Sequence, residues 1–405
     1  MAASKQGVLP PGVRIAGHVI ERVLGNGGFG KTYVVREERT GAARVLKEYF
    51  PERAAQRRPG SNDVMPIPGR ERSFHDGFRS FVNEAEVLRD LPRHPNIVGV
   101  FGLFEKHDTI YMLMELVEGV PLANYLDQPG SVGEAELFRT LRRICRGLTL
   151  IHDRRLLHRD IKPQNIMITR KGGPVLIDFG AARLTGDRDF LTSIYTPGFA
   201  PIEQLGQARS LGLKEGPWTD LYATGALAYQ FATGKVPADS WRRYEMVSNG
   251  SPDPFAPCGT QARGHYSPAF CRAVDWALSL DPERRPARAE EWVEALEGRA
   301  KPHHSVHVGW GAAPVLAIAV ARVRRDAPAQ AAAGEAGPRR SETVREGPEA
   351  DIGASFFSSR EGDGFATANS GRSIAGNRIW VNILIMMAIL AAVGAAAVAI
   401  SSSQQ

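Results

Sequence analysis

The chain has 405 residues, 43% of them apolar and 23% charged, a balance that allows a sizeable core and excludes a wholly disordered protein. The formal charge of +6 is spread along the chain with no compact basic stretch interleaved with aromatics, so no nucleic acid is expected as a partner. Cys145, Cys258 and Cys271 form no CxxC or Cys/His pattern, which argues against a disulfide framework or a zinc site and fits a reducing compartment.

Residues 1–17 contain no continuous apolar run and therefore no expected secretory leader. From about Val13 to Leu116, β-branched and aromatic runs punctuated by glycine predict strands, with one helix over Phe78 to Leu91. The first cluster of interest is Leu24, Gly25, Asn26, Gly27, Gly28, Phe29, Gly30, Lys31 and Thr32. Its GxGxxG spacing offers backbone N–H groups at close approach to phosphate oxygens. The β-branched residues that follow point to a strand-loop-strand cover rather than the helix start of a dinucleotide fold. Lys47 closes the apolar fragment Val45-Leu46-Lys47, and Glu84 in the predicted helix is the carboxylate that could orient it against phosphates. Glu86, two positions on, faces a different side of that helix.

Past Leu122 the periodicity turns helical, over Ala135 to His152, Ala223 to Thr233, Pro268 to Leu280 and Ala289 to Leu296. A small β-rich lobe followed by a larger α-rich lobe is the implied architecture. Between the first two of these helices stand His158-Arg159-Asp160-Ile161-Lys162-Pro163-Gln164-Asn165 and, 13 residues after Asn165, Asp178-Phe179-Gly180. Phosphoryl transfer needs a carboxylate for the attacking hydroxyl (Asp160), an amide and a carboxylate for a divalent cation (Asn165, Asp178) and a cation against developing charge (Lys162).

Residues 298–378 shift to Ala, Gly, Pro, Ser, Arg and Glu and read as a disordered low-complexity linker. An apolar run of 14 residues within it, Val308 to Ala321, is short of a bilayer span. Ile379 to Ile400 is 22 residues without a charge, long enough for a single transmembrane helix. Arg360, Arg372 and Arg378 precede it and no charge follows, so everything N-terminal of the span is expected on the cytoplasmic side, with insertion after synthesis.

On these motifs, about 70% of the chain, Val13 to Leu296, resembles the Hanks-type protein kinases. Lys47-Glu48-Tyr49-Phe50-Pro51 and Thr196-Pro197-Gly198-Phe199-Ala200-Pro201-Ile202-Glu203-Gln204 are similar to a bacterial serine/threonine group. The resemblance implies an α+β bilobal fold with a kinase domain over 13–297, ATP in the cleft and Mg²⁺ on Asn165 and Asp178. It implies Met114 as gatekeeper, Glu115 and Val117 at the adenine edge, and Met167 as cleft floor. Phe179, His158 and Leu88 would stack between the lobes, Asp220 would brace the catalytic loop, and Glu203 would pair with Arg285. Lys162 with Thr196 is the pattern for serine and threonine rather than tyrosine acceptors. Arg159 beside the catalytic aspartate implies a partner phosphate, with Thr185, Thr192, Ser193 and Thr196 as candidates and Thr192 or Ser193 preferred. Self-association for autophosphorylation would follow.

The departures are Thr32 where a valine is usual, Val45 where alanine is usual, Pro201 one position early, and a separation of 37 positions from Lys47 to Glu84. Residues 59–72 within that stretch are expected to be flexible. None of these removes a chemical group, which argues against a pseudokinase.

Overall fold

The computed structural model describes residues 7–28, 30–125, 132–179, 183–184, 195–206, 211–262 and 266–303. The predicted membrane span and nearly all of the predicted linker lie outside them. Among the described residues no helix is long and apolar enough to cross a membrane.

The small lobe is built on six antiparallel strands: β1 (Arg14–Ile15), β2 (His18–Gly27), β3 (Gly30–Glu37), β4 (Ala43–Tyr49), and, after an insert and a helix, β7 (Val100–Lys106) and β8 (Thr109–Glu115). Their order across the sheet is β1-β2-β3-β4-β8-β7. Side chains alternate along each strand, and both faces are covered. Val45, Tyr49, Met112 and Met114 join the core shared with the helix, whereas Tyr33, Val35, Leu46, Tyr111 and Leu113 form a second core closed by Leu9 and Ile15. Leu9 is 1% exposed, so residues ahead of Val13 also pack into this lobe.

The stretch expected to be flexible, 59–72, runs into the first residues of helix α1 (Glu71–Arg89) and supplies the turn and second strand of a hairpin, β5 (Ala55–Arg57) paired with β6 (Val64–Pro66). An ion pair fixes it. The Arg57 guanidinium donates to both Glu48 oxygens at 2.7 and 2.6 Å and to the carbonyls of Gly7 and Asn62. Glu48 is fully buried and also accepts from the Tyr33 and Tyr111 hydroxyls at 2.8 and 2.6 Å. Four donors on two carboxylate oxygens compensate the cost of burying that charge. Burial, with the Glu48 charge, pushes both phenol pKa values upward, so these tyrosines remain donors.

Helix α1 begins seven residues earlier than the predicted Phe78. Phe74, Phe78 and Phe81 recur at helical spacing and surround the Tyr49 ring at 5.4, 5.7 and 5.6 Å between centroids. Gly77 sits where a Cβ would come within 2.4 Å of the Tyr49 hydroxyl, which donates to the Phe74 carbonyl at 2.7 Å. The glycine that obscures the helix in the sequence is what lets it close on the sheet.

The large lobe runs through β9 (Gly119–Pro121), α2 (Glu134–His152), β10 (Leu156–Leu157), β11 (Ile166–Thr169), β12 (Pro174–Leu176), β13 (Arg183–Leu184), α3 (Pro217–Thr233), α4 (Ser240–Ser248), α5 (Cys258–Gln261), α6 (Pro268–Ala277) and α7 (Ala289–Leu296). The predicted helices at 135–152 and 289–296 agree to within a residue, and the one from Pro268 stops at Ala277. Helix α3 is buried on every side except at Gln230, so it forms the axis on which the lobe is assembled. Pro217 at its first position and Gly216 as N-cap start it six residues ahead of the predicted Ala223.

Candidate active site

Sheet register brings the glycine hairpin over the lysine. Gly25 pairs with Thr32, Thr32 with Lys47, and Lys47 with Met112, so two strand spacings, roughly 10 Å, separate the Gly25 backbone from that of Lys47. Leu24 is one of the few exposed large apolar side chains among the described residues, at 48%, as a residue roofing an open cleft would be. The glycines do different jobs. A Cβ on Gly30 would lie 2.4 Å from the Glu48 carbonyl, so the sheet itself requires glycine there. At Gly25 and Gly27 no described residue beyond their chain neighbours would come nearer to a Cβ than 3.9 and 3.7 Å, so the fold itself has room for a side chain there, and close approach by a phosphate is the reason to keep glycine.

Lys31 offers a nucleotide only its main chain. Its ammonium is fully buried, bonded to Asn26 and to Glu52 at 2.6 Å, and lies 4.8 Å over the Phe50 ring. With the Glu52 N–H on the Gly28 carbonyl at 3.2 Å, this latches the hairpin tip to the turn after β4. Phe29 and Gly180 lie outside the described residues.

Asp160 is the focus of the second half of the site. Lys162 Nζ donates to its two oxygens at 2.9 and 2.8 Å, and Asn165 Nδ2 donates to Oδ2 and to its backbone carbonyl, both at 2.8 Å. The Thr196 hydroxyl comes within 3.4 Å of Oδ1. Behind it, Asp220 of α3 accepts the backbone N–H groups of His158 and Arg159 at 2.9 and 2.8 Å and the His152 ring at 2.8 Å. Burial opposes the Asp220 charge, but the bonds from His152 and Arg159 and the nearby His158 hold its pKa below the usual carboxylate range. Burial pushes the His158 imidazole down, against the pull of Asp220, Asp160 and Asp178.

Arg159 takes a left-handed backbone, φ +64°, which non-glycine residues adopt only when their surroundings compel it. Its carbonyl accepts from Gln204 at 2.7 Å, and its guanidinium donates to Glu215 from Nε at 2.6 Å and from a terminal nitrogen at 3.0 Å. Neither Gln204 nor Glu215 was named from the sequence as its partner, because contacts across 45 and 56 residues leave no local pattern.

Asp178 also has positive φ, +58°, and forms an ion pair with Lys47 across 131 residues. Phe179 packs on His158 with centroids 4.5 Å apart, in the core that includes Leu88. Glu84, expected to orient Lys47, is buried and accepts from Ser80 at 2.7 Å. Met114 is buried opposite Val45, Glu115 engages Gly99 through its amide and carboxylate at 2.8 and 3.3 Å, and Val117 is half-buried beyond β8. Met167 pairs with Pro121 and Val175 on β11. Glu203 and Arg285 pair as expected, at 2.7 Å and with both side chains fully buried.

Among the described residues no group of three or more His, Cys, Asp or Glu could hold a metal alone. An Asp and an Asn fit Mg²⁺, which keeps waters and completes its shell with phosphate oxygens. Because Asn165 gives its Nδ2 to Asp160, the atom it can offer a cation is Oδ1.

The model of the family described as Protein kinase domain matches residues 18–296. The chain is 28% identical over 296 residues to serine/threonine-protein kinase PknA of Nostoc sp., covering 68% of this chain and 46% of that protein. It is 30% identical over 295 residues to serine/threonine-protein kinase PrkC of Bacillus subtilis, covering 72% and 41%. The chain thus spans less than half the length of these curated relatives. A solved structure, PpkA-294 in its apo form, is 33% identical with a TM-score of 0.59 and covers 72% of this chain and 99% of that one. With the paired Asp160, Lys162 and Asn165 and the braced catalytic loop, the chain belongs to the protein kinase family, as a Hanks-type member of the serine/threonine group found in bacteria.

Proposed function

We propose that this chain transfers the γ-phosphoryl group of ATP to serine and threonine hydroxyls of protein substrates. The observation that carries the reading is the Asp160 carboxylate held by Lys162 and Asn165 with Thr196 beside it. Mg²⁺, when bound with ATP, neutralises charge on the phosphates and links them to the chain. Asp160 orients the incoming hydroxyl and accepts its proton. Lys162, already on Asp160, stands where negative charge grows on the transferred group. Lys47 positions phosphates from above, and the Asp220 bonds keep the catalytic loop from relaxing. Replacing Asp160 by Asn should lower kcat by about 10² or more while ATP still binds. A purified Asp160→Asn protein that phosphorylates a mixed Ser/Thr substrate at the wild-type rate would overturn the assignment.

We further propose a membrane tether through residues 379–400 and autophosphorylation between two self-associated copies within residues 185–196. The uncharged 22-residue stretch with arginines only on its N-terminal side supports the first. The hydroxyls of Thr185, Thr192 and Ser193 ahead of Thr196 support the second. Recovery of the full-length chain in the soluble fraction, or its release from membranes by alkaline carbonate, would refute the tether.

A further inference from the structure

A guanidinium at the catalytic loop that is almost completely removed from water must be neutralised, because an uncompensated buried charge is strongly destabilising. The Arg159 side chain is 1% exposed. In many kinases a phosphate added to the activation segment meets this need, supplying a double charge and strong acceptors that order the loop. Here a carboxylate takes two of the guanidinium's donors in a fork, the geometry in which an Arg–carboxylate pair is strongest.

The position of that carboxylate matters as much as its charge. Glu215 immediately precedes Gly216, the N-cap of α3, whose N–H donates to Thr219 at 3.2 Å, while the Trp218 ring N–H donates to the Lys214 carbonyl at 3.1 Å. Five residues further on, Asp220 of the same helix holds the backbone N–H of Arg159. The side chain of one arginine is therefore held by the connection leading into α3 and its backbone by α3 itself, and the Gln204 amide holds its carbonyl. The next residue is Asp160.

We propose that Glu215 is a positioning residue that does the work of an activation-segment phosphate: through Arg159 it keeps Asp160 in working geometry without prior phosphorylation. This rests on the kinase reading above. Phosphorylation within 185–196, where it occurs, then follows from activity instead of switching it on.

The test uses the full-length chain, treated with phosphatase and checked by intact mass, against a mixed Ser/Thr substrate. Wild type should keep its kcat within roughly threefold after dephosphorylation, and Glu215→Ala should lower kcat by about tenfold or more with a much smaller change in the KM for ATP. Glu215→Asp should recover part of the loss, and Glu215→Gln separates lost charge from lost packing. In an Arg159→Ala background, Glu215→Ala should add nothing, the mark of a residue acting through its partner. Each assay is run well below the variant's melting temperature. A wild type that loses about tenfold or more on dephosphorylation, or a Glu215→Ala enzyme at the wild-type rate, overturns the proposal while leaving the kinase reading intact. A wild type no more active than Asp160→Asn in either state overturns both.

Discussion

Glu203 to Ala removes one half of an ion pair in which neither side chain has any exposure. Arg285 makes two bonds to Glu203, at 2.7 and 3.2 Å, two more to the carbonyls of Ser279 and Leu280, and lies 4.7 Å over the Tyr222 ring. Glu203 also accepts the Thr219 hydroxyl at 2.9 Å. Truncation leaves a buried guanidinium short of its counter-charge and a buried hydroxyl short of its acceptor, a loss of about 3–5 kcal/mol. For a domain of this size about 2–3 °C of melting temperature goes with each kcal/mol, so a fall of roughly 10 °C is expected. The exposed pair Arg14–Glu38 is the control, since Glu38→Ala should stay within about 0.5 kcal/mol of wild type. Thermal melts of the purified kinase domain give both numbers. If Glu203→Ala melts within about 3 °C of wild type, the buried pair does not carry the stability its geometry implies.

Gly30→Ala should destabilise the small lobe by about 1–3 kcal/mol even without nucleotide, because the Glu48 carbonyl has no room to move. Gly25→Ala should leave the melt unchanged and raise the KM for ATP; equal effects in both assays would erase the distinction between the two glycines. Glu52→Gln weakens the latch on Lys31 and should raise the KM for ATP more than it lowers kcat, which steady-state kinetics will resolve. Acid should destabilise the fold in two stages. Burial depresses the His158 pKa in the folded chain, so below about 6.5 the unfolded chain binds more protons, and stability present above that pH is lost as pH falls toward the folded value. Asp220, also held low, adds a loss below about pH 4. Melts from pH 7.5 to 3.5 should show both, and His158→Phe should flatten the first; a melting temperature constant between pH 7.5 and 5 would contradict the sign.

The chemistry was legible in the sequence because Asp160, Lys162 and Asn165 sit within one tight loop, so their spacing is almost their geometry. The glycine hairpin was legible because β-branched residues follow it. What sequence patterns hid was long-range or masked by a local breaker. Gly77 concealed the first two turns of α1, and the Pro/Gly-rich composition of 59–69 concealed a hairpin whose order comes from Glu48 and Arg57. Glu215 lies in a glycine-rich connection that reads as an ordinary loop, and only α3, packed against the catalytic loop, makes it part of the site.

The strap formed by residues 7–15 imposes an order on synthesis. It leaves the ribosome before the groups that receive it. The Gly7 carbonyl waits for Arg57, the Leu9 amide for the Tyr33 hydroxyl, and the Leu9 side chain for a core that includes Tyr111 and Leu113. The small lobe therefore cannot seal until more than 100 residues have emerged, because the core under Leu9 is incomplete before Tyr111 and Leu113. A nascent chain arrested before Leu113 should leave this strap open to protease, and one released beyond it should protect it.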